Sequence, residues 1–293
     1  MNSSVNSGAI KGALWMLMAS FCYVASATLT RYLDGSYDTF QLAFLRCTVG
    51  VCVLTPIVLG GGIDQLKTKI IHIHGLRMVV TYIAILFWFY AAESVPVGDF
   101  FAIQFATPLF TIGAAALLLR ETVTLKSWLA AIVGFCGVLI IVRPGYIPIS
   151  IGVLAAIATA LTYALVNTLI KVASRHDSPT VMTFYVNVLI LPVSAIPAYF
   201  VWKTPQWEDV PILLGIALFA TLAQFCVANS ISLADARVVQ PMNFMRMPMA
   251  ALLGFLVFSE FPDMWTWVGA LIIFVAAWYA VQHAAAARKK AAT

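Results

Sequence analysis

The chain has 293 residues, of which 62% are hydrophobic and 10% charged, with a net charge of +5 at pH 7 and a mean hydropathy of +0.95. Soluble domains carry roughly a quarter charged residues, so a soluble enzyme or binding domain is excluded. The apolar content runs from end to end and leaves no room for a separate soluble domain.

The expectation is an all-α integral membrane protein. About 20 apolar residues cross roughly 30 Å of hydrocarbon as a helix, and backbone groups in lipid must be satisfied internally. A transmembrane barrel would show shorter, alternating segments. Ten apolar runs between polar breaks are predicted helices, near 10–31, 38–59, 75–93, 97–119, 124–142, 148–172, 179–201, 210–233, 237–258 and 263–283.

In the first run, Lys11, an apolar stretch and "ASA" at Ala25 to Ala27 imitate a cleavable signal peptide. A retained helix is the better reading, because the sixth run repeats it. The second run carries Arg46 in "FLRC", eight residues from its start. The connection "GGGIDQLKTKIIHIH" is basic and holds at most a short interfacial helix; its His72 and His74 read as solvated loop histidines rather than a metal pair. In the third run "LFWFYAAE" places Trp88 and Tyr90 toward one end, where an interfacial aromatic belt competes with stacking on a flat substrate. The fourth has Gln104 four residues before Pro108.

In the sixth run Tyr163 and Asn167 lie one turn apart and share a face. Gln224 sits mid-span in the eighth. The ninth holds "NFMRMPM", with Asn243 three residues before Arg246 and Pro248 just after it. Arg246 falls roughly nine residues into its run, near the midplane, where insertion costs about 2.5–3.5 kcal/mol. Such residues face a bundle interior or a wet cavity; the alternative is a structural anchor on carbonyls freed by Pro248. Pro108 and Pro248 are expected to interrupt helices where a kink or gate is useful. The five cysteines all fall in apolar runs without paired spacing, so neither a disulfide framework nor a metal site is expected.

Lysine and arginine favour cytoplasmic loops. With the N-terminus inside, twelve (Lys11, Lys67, Lys69, Arg77, Arg120, Lys126, Lys171, Arg175, Arg237, Arg288, Lys289, Lys290) fall inside and three (Arg31, Arg143, Lys203) outside. Both termini are therefore expected in the cytoplasm, and the basic balance is a topology signal rather than a nucleic-acid footprint.

The halves resemble each other. Gly12, Leu14, Tyr23, Thr28, Leu29 and Arg31 recur as Gly152, Leu154, Tyr163, Thr168, Leu169 and Lys171, a constant offset of 140. "ATPLFTIGAAALLLRETVTLKSW" echoes "RMPMAALLGFLVFSEFPDMWTW", with Pro108, Glu121 and Trp128 answered by Pro248, Glu260 and Trp267. Two five-helix repeats, 1–145 and 146–293, must enter the membrane in opposite senses because five is odd. Inverted repeats of this kind place a substrate site near the midplane of secondary transporters.

A proline inside the fourth helix of each repeat, an "LxE" ending, a Gly-rich fifth helix and "FLRC" around Arg46 resemble the EamA family of the drug/metabolite transporter superfamily, over essentially the whole chain. Tyr185 stands where the second repeat would carry the counterpart of Arg46. The "RMP" triplet is similar to subfamilies that export metabolites or amino acids, and more faintly to S-adenosylmethionine carriers. The resemblance implies a ten-helix basket with a cavity lined by helices one, three, four, six, eight and nine. It also implies electrochemically driven transport of a small organic metabolite without ATP or cofactor; members carry amino acids, amines, carboxylates and riboflavin. Arg46 would then lie outside the cavity ring, where pairing with Asp34 or Asp99 would make it structural; a substrate role is the alternative.

No enzyme motif (GxSxG, HExxH or P-loop) is present, and an enzyme is not expected. The expected partners are the lipid bilayer and a small-molecule substrate, with no nucleic acid; proton coupling and a monomeric or homodimeric state stay open. Glu93, Asp99, Glu121, Asp235, Glu260 and Asp263 all lie near span ends, so no deep carboxylate is available to a cation carrier. A deep arginine favours a ligand with a carboxylate or phosphate, bound by bidentate hydrogen bonds. The candidate contacts are Arg246, Asn243, Gln224, Tyr163, Asn167, Gln104, Trp88, Tyr90 and Arg46, each polar one weighed against ordinary helix–helix hydrogen bonding. An amine held on aromatic faces is the alternative ligand, and an uncoupled facilitator the alternative mechanism.

Overall fold

The computed structural model of the chain describes residues 2–107, 109–111, 113–114, 125–143, 150–233 and 242–291. Every regular element among them is helical: α1 (Asn2–Tyr32), α2 (Thr39–Gly60), a 3-10 turn (Ile63–Leu66), α3 (Ile71–Ser94), α4 (Val97–Gln104), α5 (Leu125–Val142), α6 (Ile151–Ala173), α7 (Pro179–Phe200), α8 (Val210–Leu233), α9 (Arg246–Phe258) and α10 (Met264–Ala291). Six of them, α1, α2, α3, α6, α7 and α8, are long and apolar enough to cross a membrane. Shorter apolar stretches occupy Ile132–Val142, Arg246–Phe258 and Met264–Tyr279. Pro108, Glu121, Asp235 and the expected repeat boundary at 145/146 lie outside the described residues.

The starts of several helices are set by side chains that take up otherwise orphaned N–H groups. Asp38 accepts from Phe40 N at 2.8 Å, Ser150 from Val153 N at 3.2 Å and Ser178 from Val181 N at 3.3 Å, with Pro179 in the first turn of α7. Hydroxyls within spans bond back to the preceding turn, as Thr28 does to Val24 O and Thr159 to Ala155 O, so they cross apolar surroundings satisfied.

The packing has a regular pattern. α1 runs against α8 and α3 against α6, while α2 packs on α7 and α5 on α10. Adding five to each label converts the first pair into the second and leaves the other two unchanged. Direct hydrogen bonds fasten α1 to α8 from both sides: the Ser26 hydroxyl donates to Ile216 O at 3.1 Å, and the Ser230 hydroxyl to Gly12 O at 2.7 Å. At the α5–α10 crossing Gly137 and Gly269 face each other; a Cβ on either would stand within 2.9 Å of the other's carbonyl oxygen. Small residues at helix crossings let backbones approach in this way. Large apolar side chains such as Leu14, Ile57, Ile196 and Leu256 stay exposed on the outside, as a lipid-facing surface requires.

Three expectations are corrected. The ninth run is not one continuous helix: residues 242–243 are helical, Phe244 and Met245 form a turn, and α9 begins at Arg246. Proline at 248 has no N–H to give to the carbonyl four residues back, which is Phe244 O; Met247 N takes that oxygen at 3.1 Å in a tighter turn. Likewise α4 stops at Gln104, and Phe105–Ala106 form a turn with i→i−3 bonds before helical residues resume at 107. The two interruptions meet, with the Phe105 and Phe244 rings stacked at 5.3 Å and 21°.

The third correction concerns "HIHG". α3 begins at Ile71, so both histidines are helical, and only His72 is exposed. His74 is 1% exposed, with Nε2 at 2.7 Å from Asp177 Oδ2 and its ring stacked on Tyr185 at 4.8 Å. A solvated loop was expected because Asp177 is 103 residues away and cannot be seen beside it in the sequence.

Candidate functional site

The deepest cluster of aromatic and cationic groups lies where α1, α2, α3, α6 and α8 converge. Tyr23, Arg46, Ile85, Trp88, Phe89, Tyr163 and Ala220 line a cavity of about 10 Å3. A volume near 10–15 Å3 admits about one water-sized probe, so the walls are closed together here. Tyr23 stands edge-on to Tyr163 at 6.2 Å and tilted against Trp88 at 6.3 Å. Tyr23 and Tyr163 are the pair related by the 140-residue offset, which places one aromatic ring from each half at the centre.

Two guanidinium groups address these rings. Arg246, at the first residue of α9, sits with Cζ 4.7 Å over the Tyr23 ring. Its Nε is 3.4 Å from Ser20 Oγ, which already donates to Met16 O, and its Nη2 is 4.0 Å from Met16 Sδ. Arg46 is 3% exposed and lines the cavity itself. No carboxylate pairs with either arginine among the described residues, and Arg46 Nη1 is buried there without a hydrogen-bond partner. The expected position of Arg46 outside the ring is therefore corrected, and neither Asp34 nor Asp99 is its partner. α2 packs against α7 and α8, and this tilts its Arg46 face inward.

The other sequence-derived candidates divide. Trp88, 5% exposed, joins the cavity wall, while Tyr90 is 39% exposed and does not. Gln104 is buried and donates from Nε2 to Ala156 O at 3.0 Å, a cross-helix bond between α4 and α6. Asn167 is half-buried one turn beyond Tyr163. Gln224 is 7% exposed on α8, and its Oε1 has no partner among the described residues. Asn243 is half-buried in the short helical turn before Phe244, so the turn at 244–245 separates it from Arg246. Pro248 follows the interruption that it causes; Pro108 is outside the described residues. Tyr23 was not among the candidates, although its repeat partner Tyr163 was. Asn187 and Thr221, buried polar residues on α7 and α8, were also missed, since nothing in their local sequence sets them apart.

Both ends of the bundle are tied by polar contacts. At the end where α1 finishes, Arg31 Nη2 is 2.5 Å from Glu260 Oε1, Arg143 pairs with Asp263, and Lys203 Nζ donates to Ser36 O at 3.0 Å. Thr266 Oγ1 lies 2.8 Å from both Asp99 Oδ1 and Asp263 Oδ1. Pro96, Asp99, Arg143, Glu260 and Asp263 border a cavity of about 280 Å3 at this end. Burial opposes ionisation of Asp263, but the Thr266 N–H and hydroxyl and the Arg143 guanidinium together hold its carboxyl below the usual range. At the other end the His74–Asp177 pair is joined by the Thr68 hydroxyl, 2.7 Å from the same Oδ2, and the Tyr185 hydroxyl donates to Leu66 O at 2.6 Å.

This arrangement is a narrow, aromatic, cationic centre with polar contacts among the described residues toward each end, which suits the handling of a small molecule inside a membrane. Known proteins agree in kind. The model of the EamA-like transporter family matches residues 10–143 and 150–282. The chain is 31% identical over 284 residues to a riboflavin transporter of Vibrio cholerae, covering 95% of each. It is 28% identical to an S-adenosylmethionine uptake transporter of Rickettsia bellii over 94% of each chain, and 24% identical to a pseudopaline exporter of Pseudomonas aeruginosa over 90% of this chain and 94% of that one. A solved crystal structure shares the fold with a TM-score of 0.64 at 18% identity, covering 95% of this chain and 98% of the other. A family model matched over nearly the whole length, together with such relatives, leads to one conclusion: this multi-pass membrane protein belongs to the EamA-like transporter family.

Proposed function

We propose that the protein is a secondary transporter that moves a small organic metabolite, amino-acid-like or carboxylate-bearing, across the bacterial inner membrane by alternating access, in the direction of export. The observation that carries this reading is the pair of arginines at the central aromatic cluster, neither of them matched by a carboxylate among the described residues. A buried cation is costly unless a counter-charge meets it, and a substrate carboxylate supplies one through a bidentate hydrogen-bonded pair.

The reading takes the chain as ten spans in two inverted repeats, 1–145 and 146–293, with both termini in the cytoplasm. The packing supports it: α1–α8 and α3–α6 are counterparts under a shift of five, and α2–α7 and α5–α10 are each their own counterpart. Two interruptions at matching depths, joined through Phe105 and Phe244, suit the discontinuous helices that such carriers place at the substrate site. Arg31, Arg143 and Lys203, the three basic residues assigned outside, all lie at one end.

A second reading is a planar or cationic substrate, favoured by the walls of Tyr23, Trp88 and Tyr163 and by relatives named for riboflavin and S-adenosylmethionine. One experiment separates the two: metabolite profiling of cells overproducing the wild type or Arg246→Gln. The wild type is expected to shift mainly carboxylates, and the variant to lose the shift. A profile dominated by permanent cations, or an unchanged effect in the variant, refutes the anion reading.

A further inference from the structure

Among the described residues, Arg46 is a buried charge with little to satisfy it. It is 3% exposed, no described carboxylate pairs with it, and Nη1 is sealed from solvent without a hydrogen-bond partner. Arg246 at least rests on the Tyr23 ring and the Ser20 hydroxyl. Leaving a buried cation unpaired is strongly unfavourable, and two cations directed at one small cluster repel each other as well. A fold bears that cost where the positive charges have something to meet.

Resting on the carrier reading, we infer that the central site selects a substrate with a planar ring and two negative charges, as in an aromatic phosphomonoester or dicarboxylate, with Arg46 as a second anion anchor beside Arg246. Three features fix the class. Two guanidiniums neutralise two charges, and each offers a planar fork of donors to oxygen pairs. Tyr23, with Trp88 at 6.3 Å and Tyr163 at 6.2 Å from its centroid, forms with them a set of rings on which a flat group can stack. No described acidic residue lines the cavity, so a substrate ammonium has no ionic partner.

To admit such a ligand the cavity of about 10 Å3 has to widen, and the turn at Phe244–Met245 supplies a hinge for α9. Arg246 is the first residue after that turn, so rotation of α9 carries its guanidinium away from Tyr23 while Arg46 stays on continuous α2. The substrate's two charges therefore meet one fixed arginine and one movable one.

Ligand-induced thermal stabilisation of the full chain in detergent micelles tests this. Phenyl phosphate, benzoate, benzyl alcohol, benzylamine and inorganic phosphate serve as probes at about pH 8, where the second phosphate proton (pKa about 6) is gone. Phenyl phosphate is expected to stabilise at concentrations at least about tenfold below benzoate, a step of about 1.4 kcal/mol, and inorganic phosphate to be weaker for want of a ring. Arg46→Gln is expected to bring phenyl phosphate down to the level of benzoate. Arg46→Lys, which keeps the charge and loses the fork, is expected to fall between and serves if the glutamine variant does not fold. Equal effects of benzoate and phenyl phosphate, a best response to benzylamine or benzyl alcohol, no response to any probe, or full retention in both variants overturns the inference. Binding needs no transport, so a dianion site without movement of metabolites would sink the carrier reading alone. Transport of simple carboxylates with no preference for phenyl phosphate would sink this inference alone.

Discussion

Replacing Asp177 by alanine removes the acceptor that joins the start of α3 to the turn between α6 and α7. Its Oδ2 lies 2.7 Å from both His74 Nε2 and Thr68 Oγ1, and the His74 and Asp177 side chains are only 1% and 7% exposed. A hydrogen bond to a charged partner is worth about 1.5–3 kcal/mol, and stripping one member from a buried pair costs about 3–5 kcal/mol. We expect Asp177→Ala to destabilise by about 3–5 kcal/mol, because His74 and Thr68 donors are left facing apolar surroundings. The cleaner measure is a double-mutant cycle with His74→Ala in detergent micelles, following denaturant unfolding by tryptophan fluorescence. The coupling energy should be about 1.5–3 kcal/mol. Additivity within about 0.5 kcal/mol, or single effects within the range of ordinary surface substitutions, would refute the buried pair and reinstate a solvated histidine.

Two further outcomes follow from the geometry. At Gly50, a Cβ would stand 2.7 Å from Asn187 Oδ1, 2.9 Å from its Cγ and 3.0 Å from Thr221 Oγ1. Gly50→Ala should therefore cost about 1–3 kcal/mol through overpacking, whereas Gly75→Ala, with open space around it, should be neutral or gain up to about 1 kcal/mol; melting temperatures of the two variants decide. Asp263, held below its ordinary value of about 3.9, contributes stability that is complete above that value and disappears as pH falls through the lower folded value. Asp263→Asn should accordingly flatten the acid limb of a stability-versus-pH curve and leave its alkaline limb unchanged, and an unaltered acid limb would count against the Arg143–Asp263 contact.

The all-helical membrane class was legible in the sequence because apolar run length is a strong, local signal. Tyr163 stood out because it shares a helix face with Asn167, and the 140-residue offset that relates it to Tyr23 marks Tyr23 as its counterpart. Pro248 announced an interruption, but hydropathy alone could not show that the helix restarts at Arg246, since turn residues such as Phe244 and Met245 are as apolar as those of a span. The position of Arg46 in the cavity wall could not be read from sequence because the face that α2 turns inward depends on its packing against α7 and α8, which is tertiary information. His74 was missed for a related reason: its partner is fixed by the fold and lies in a turn 103 residues on.

The pairing of α1 with α8 also bears on how the protein is made. When residues 2–32 have entered the bilayer, the Ser26 hydroxyl that will bond Ile216 O and the Gly12 carbonyl that will accept from Ser230 still lack their partners. Some 200 residues must be synthesised before α8 is complete, which at about 5–20 residues per second takes roughly 10–40 s. Through that interval the first helix waits in lipid without the helix it packs against. A ribosome that stalls before residue 233 therefore leaves behind a fragment with an open seam.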